Sequence, residues 1–253
     1  MLLSSFLGGV DTVDIVSEAK ASTRPLDLIL CLDASRSMNR VSTAEKAFPP
    51  GGTSIHEKPL PGSRWSELTD TVALFLDAMR DINPNARIGL VTFGGGASTE
   101  RILGTGVESP LDLDLARLEQ SLTLVISNEA GAIPATLQSY VDDNPALGLG
   151  TSLYEGLQVS LGTFDNNNNS SKHIVMLSDG AQAAVPSPEP ILAAEDAADA
   201  NVTVHTIAFG TGVDVLGDIA KETGGSTFSA LGEDELREAF ASLLARFRTK
   251  LVD

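Results

Sequence analysis

Leu26 to Met38 reads LDLILCLDASRSM, and no other stretch constrains the fold as tightly. The apolar run Leu28-Ile29-Leu30-Cys31-Leu32 is broken by Asp33-Ala34-Ser35-Arg36-Ser37, a carboxylate followed by hydroxyls at alternate positions. A short apolar run before turn-type residues fits a strand buried on both faces of a parallel sheet. In such sheets ligands lie outside the carboxyl ends of the strands. One carboxylate and two hydroxyls, with no His or Cys beside them on the rim, suit a hard cation such as Mg²⁺ better than Zn²⁺ or Cu²⁺. The plainer alternative is a cap, in which Asp and Ser satisfy free N–H groups at a strand-to-helix turn.

A second run repeats the pattern. His173 to Leu177, HIVML, ends in Ser178-Asp179-Gly180. Two parallel strands that both end in aspartate bring Asp33 and Asp179 to the same rim, which favours the cation over the cap. Between them, Gly148-Leu149-Gly150-Thr151 leads into a helix with Leu153, Leu157 and Leu161 on one face. Thr151 stands at the helix entry, where its ordinary role is an N-cap.

The remaining elements alternate. Ser63 caps a helix whose stripe is Trp65, Leu68, Val72, Phe75, Leu76 and Met79, ended by Asn83-Pro84. Ala86 to Phe93 is a second buried strand, broken by Gly94-Gly95-Gly96. That glycine run lacks both GxGxxG spacing and a following P-loop lysine, which excludes a nucleotide site of those kinds. Arg101 to Gly104 fits a short strand, Leu113 to Val125 a helix, and Pro134 to Val141 a short helix. Asp165 to Ser170 is similar to the opening of a calcium loop, but Ser170 and Met176 replace the Gly and Glu an EF-hand requires. Pro188 to Ala200 is an acidic helix, and Val202 to Phe209 a fourth core strand with His205 as a core residue. A helix from Leu216 to Thr223, a last strand from Ser226 to Ser229 and a terminal helix through Leu236, Phe240, Leu243, Leu244 and Phe247 complete the series.

This alternation, without repeats, predicts an α/β fold: one doubly wound, mostly parallel central sheet flanked by helices on both faces. Residues 25–250 read as one domain with a long insertion at 39–62, and residues 1–24 as a flexible lead or an added edge element. MLLSSFLGGV is apolar like a signal segment but lacks a basic start and is too short to span a bilayer. The chain also reads as a possible fragment of a longer protein.

Among 253 residues the formal charge is −17, which disfavours nucleic acid as a partner and favours cations and basic surfaces. Cys31 is the only cysteine, so no intrachain disulfide forms, and its strand position predicts a buried thiol.

Together these elements resemble the von Willebrand factor type A domains. Asp33-Ala34-Ser35-Arg36-Ser37 looks like the DxSxS element of that family's metal-ion-dependent adhesion site, Gly150-Thr151 like its separate threonine element, and Leu177-Ser178-Asp179-Gly180 like its later aspartate. Ile219-Ala220 with Thr223-Gly224-Gly225 is similar to the family's approach to the last strand. The resemblance runs from about Leu26 to Phe247.

It implies that Ser35, Ser37 and Thr151 coordinate Mg²⁺ (with Mn²⁺ or Ca²⁺ as alternatives) through their hydroxyls, and that Asp33 and Asp179 hold it directly or through water. It further implies a non-enzymatic protein-binding module for adhesion or assembly, whose partner completes the metal shell with a Glu or Asp. No nucleic acid and no direct membrane insertion by the domain are expected, and a cell-envelope or extracellular setting is favoured over the cytoplasm. Arg36 stands where many relatives have glycine, either weakening the metal site or assisting an acidic partner.

Two other classes stay in view. A Mg²⁺-dependent phosphatase or hydrolase is opposed by Ser35, which stands where a haloacid-dehalogenase-type site needs its second aspartate, and by the lack of a G-x-S-x-G elbow. The third class is a metal-free structural interaction domain.

Overall fold

The computed structural model describes residues 25–33, 35–41, 62–83, 86–94, 97–99, 151–164, 169–180, 188–210 and 213–250. Strand β1 spans Leu26–Asp33 and a 3-10 turn follows at Arg36–Asn39. Helix α1 is Arg64–Ile82, β2 Arg87–Phe93 and β3 Ala97–Thr99. Then come α2 (Leu153–Gly162), β4 (Ser171–Ser178), α3 (Pro190–Asp199) and β5 (Val202–Phe209). Helix α4 (Val213–Glu222), β6 (Thr227–Ala230) and α5 (Glu233–Lys250) close the series.

The strands form one sheet in the order β3-β2-β1-β4-β5-β6. Every neighbouring pair is parallel except β2 and β3, so the sheet is mostly parallel as expected. From β1 the chain proceeds outward through β2 to β3, then returns and proceeds outward the other way through β4, β5 and β6. The direction reverses between β1 and β4, and crevices open at such switch points.

Period-two alternation in β1 sends its side chains to two separate cores. Leu28, Leu30 and Leu32 join Leu68, Phe75 and Met79 of α1 and Phe240 and Leu243 of α5. Phe75 and Phe240 bridge these two helices with ring centroids 5.1 Å apart. Ile29 and Cys31 face the other way, toward Leu157 of α2, Ala194 of α3 and Leu216 of α4. Helices therefore cover both faces, and all eight residues of β1 are buried.

Ser63 caps α1 as predicted, its Oγ accepting from Ser66 N at 3.2 Å. His205 is a satisfied core residue: its Nδ1 accepts from Ser226 N at 3.2 Å, and its Nε2 lies 3.3 Å from Nδ1 of the buried His173. The antiparallel edge strand Ala97–Thr99 has no counterpart in the sequence reading, because three residues after a glycine run carry no usable period. The strand expected at 101–104, the helices expected at 113–125 and 134–141, the loop at 165–168, the lead at 1–24 and residues 42–61 of the long insertion lie outside the described residues. Among the described residues no helix is long and apolar enough to cross a membrane.

Burial pushes the Cys31 thiol up to about 12, with Asp33 adding to the rise and the Ser160 hydroxyl opposing it. The thiolate is the nucleophilic form. Native protein at pH 8 is therefore expected to leave a thiol reagent unreacted, and protein unfolded in urea to consume one equivalent. Rapid modification of the native form would contradict the burial of this side chain.

Candidate metal centre

The rim at the β1–β4 switch point collects the polar groups. Asp33 ends β1 with no exposed surface, in register with Phe93 of β2. The turn after it folds back, so that Ser35 N donates to Asp33 Oδ1 at 2.7 Å. Ser35 Oγ and Ser37 Oγ are 2.9 Å apart, the pairing that alternate positions allow. Ser37 Oγ then donates to Asp179 Oδ1 at 2.6 Å, across 142 residues of sequence. Four of the predicted groups, Asp33, Ser35, Ser37 and Asp179, therefore form one hydrogen-bonded cluster.

Thr151 is placed differently. It is buried, but Ser152, not Thr151, caps α2, accepting from Glu155 N at 3.3 Å. The cap role expected of Thr151 is thus corrected: Ser152 holds the extended backbone just before the first helical residue. Ser152 N also donates to Gly94 O at 2.5 Å, tying this helix entry to the carboxyl end of β2. Among the described residues the Thr151 hydroxyl joins none of the hydrogen bonds that link the other four. The Arg36 side chain lies outside the described residues.

Two participants were missed. Ser178 Oγ donates to Asp33 Oδ2 at 2.5 Å, so both oxygens of Asp33 are engaged. Arg64, only 4% exposed, pairs through Nη1 with Asp179 Oδ2. A sequence signal for Arg64 did exist. A cation in the first turn opposes the helix dipole, so an arginine directly after the cap calls for an acidic neighbour. Gly210 closes this corner: its φ is +128°, and a Cβ there would lie 3.3 Å from Asp179 O and 3.6 Å from Arg64 Nη2.

Burial raises the Asp33 carboxyl to about 7, and the nearby Asp179 carboxylate adds to the rise, against the hydrogen bonds from Ser178 and Ser35. Two carboxylates in a dry rim repel each other, and a cation between them relieves the repulsion. The donor set fits a hard divalent ion: carboxylates and hydroxyls only. Among the described residues no group of three or more His, Cys, Asp or Glu side chains is arranged to hold a metal ion. Mg²⁺ accepts such oxygens and keeps several waters.

The family model described as the von Willebrand factor type A domain matches residues 27–241. No curated protein matches the chain. Among solved structures it is similar to an aerotolerance-related membrane protein from Bacteroides fragilis, at 16% identity and a TM-score of 0.57, covering 87% of this chain and 99% of that one. It is also similar to proximal thread matrix protein 1 from the mussel byssus with a zinc-occupied MIDAS motif, at 16% identity and a TM-score of 0.60, over 88% of this chain and 45% of that one. A third is the PilB minor pilin from Streptococcus sanguinis, at 17% identity and a TM-score of 0.57, over 90% of this chain and 62% of that one. At these identities the likeness establishes the shared fold.

Proposed function

The chain belongs to the von Willebrand factor type A family, and from that premise we propose that it is a non-enzymatic, metal-dependent protein-binding module. Residues 25–250 act in this reading as one domain, the long 39–62 segment being an insertion in it. Asp33, Ser35, Ser37, Thr151 and Asp179 would hold Mg²⁺, with the hydroxyls as direct ligands and the carboxylates direct or through water. The bound ion would supply an electrophilic position for an acidic residue of the partner.

The observation that carries the reading is the hydrogen-bonded convergence of Asp33, Ser35, Ser37 and Asp179 at the switch point. The chain's own residues provide orientation. Ser178 fixes one oxygen of Asp33 and the Ser35 amide the other, so the carboxylate is already aimed before any ion arrives. Thr151, just ahead of the Ser152 cap of α2, is assigned to the same ion by its match to the family's threonine element. Binding is favoured over hydrolysis because, among the described residues, the rim holds neither a second aspartate two residues after Asp33 nor a triad histidine. His173 and His205 are instead paired inside the sheet layers. The membrane-associated and pilin neighbours support an envelope or extracellular setting for the module.

A metal-free structural role has one observation in its favour, namely that Arg64 already pairs with Asp179. Calorimetric titration of Mg²⁺ and Mn²⁺ into chelator-treated protein separates the two. Saturable binding is expected for the natural chain, with loss of at least about tenfold in affinity, or about 1.4 kcal/mol, in the Thr151→Ala/Asp179→Ala double variant. Equal binding by both proteins would remove these residues from the site.

A further inference from the structure

Arg64 is the one rim participant that the cation reading does not use. Its side chain is buried, its Nη1 pairs with Asp179 Oδ2, and among the described residues its Nε meets no hydrogen-bond partner. Its position is built rather than incidental. Arg64 N donates to Arg40 O at 2.9 Å, and Ser63 forms an antiparallel bridge with Val41, which fixes the start of α1 over the rim. The guanidinium packs over Gly210, where a Cβ would lie 3.6 Å from its Nη2, an ordinary van der Waals contact.

We propose that Arg64 is a resident counter-cation that sets how the rim divides its affinity between a divalent metal and an anionic ligand. The inference rests on the metal-binding reading above. With both aspartates ionised, as a bound cation favours, two aspartates and one arginine leave the rim with a single net negative charge. A divalent ion then turns it net positive, which attracts a carboxylate. Without Arg64 the loaded rim would be neutral: the metal would bind more tightly and the carboxylate more weakly. At protein-like dielectric, a unit charge a few ångströms from a divalent ion has ample energy for such an effect. Arg64 does not touch the incoming group in this scheme. It acts through Asp179, as a positioning residue.

The test compares the natural chain with Arg64→Met, Arg64→Gln and Arg64→Lys. Mg²⁺ affinity is read by calorimetry, the Mg²⁺-induced rise in melting temperature by scanning, and the capture of acetate, as a carboxylate probe, on the loaded protein. The Met and Gln variants are expected to tighten Mg²⁺ by at least about tenfold, enlarge its thermal shift and weaken acetate. The Lys variant, which keeps the charge, is expected to resemble the natural chain. A glutamine can still donate to Asp179, so it preserves the test if the Met variant fails to fold. Binding by the Met and Gln variants alone would also support the inference, with Arg64 then excluding the metal from the natural site. Folded Met and Gln variants that bind Mg²⁺ no more tightly than a natural chain that does bind it would overturn the role of Arg64 while leaving the metal site standing. No binding by any of the four would overturn the metal reading and this inference with it.

Discussion

Gly225→Ala is expected to destabilise the folded state severely. The chain leaves α4 through Gly224, whose φ of +69° is left-handed, and then runs directly against β5. A Cβ on Gly225 would lie 1.8 Å from Val204 O and 2.6 Å from Val204 C. Both are backbone atoms of a buried central strand, so neither can rotate aside. Gly225 N donates to Ala220 O at 2.7 Å, and Thr206 N donates to Ser226 O at 2.9 Å, which pins the segment from both sides. Relief would require parting β5 from the start of β6. The cost should exceed about 4 kcal/mol, the range reserved for severe core disruption, in a domain whose whole stability is on the order of 5–15 kcal/mol. Gly224→Ala is the control: nothing lies within 4 Å of its Cβ, so only the left-handed backbone counts, at about 1–2 kcal/mol. Urea melts of the two variants should therefore differ widely. A Gly225→Ala protein as stable as Gly224→Ala would mean the chain does not cross Val204 this closely.

The second large effect concerns Asp33 in chelator. Its folded-state carboxyl titrates at about 7, above the ordinary 3.8. A raised pKa means that the protonated form is the one folding favours. That contribution is fully present below about pH 4 and is lost as the pH rises through about 7. Three pH units correspond to a swing on the order of 4 kcal/mol. An asparagine amide at this position mimics the neutral carboxyl and does not titrate. Asp33→Asn in chelator should thus match the natural chain near pH 4 and surpass it at pH 8, where the ionised Asp33 faces Asp179. Saturating Mg²⁺ at pH 8 should restore the natural chain and not the variant. A stability difference that stays flat from pH 4 to pH 8 would rule out charge crowding at the rim.

Much of this was legible one element at a time. The period-two run of β1, the stripes of α1 and α5 and the Ser63 cap are local patterns, and each reappears within a few residues of its expected place. The aspartates at the ends of two apolar runs announced a shared rim, because parallel strands place equivalent ends together. Thr151 and Ser152 were harder to separate, since both residue types cap helices and only the backbone angles at Ser152 decide which one does. Ser178 was overlooked beside a more conspicuous aspartate, although it engages the second oxygen of Asp33.

By itself, then, the order of residues determined the α/β class, the buried strands and the oxygen-rich character of the site, because hydrophobic period and strand-end chemistry are written within short windows. Tertiary structure alone decided that the sheet reverses between β1 and β4, and that a guanidinium shares the rim with the two carboxylates. Arg64 and Asp179 are 115 positions apart, and Ser37 and Asp179 142. No local pattern specifies pairings at that range. They arise when the fold brings the ends of β1 and β4 and the start of α1 together.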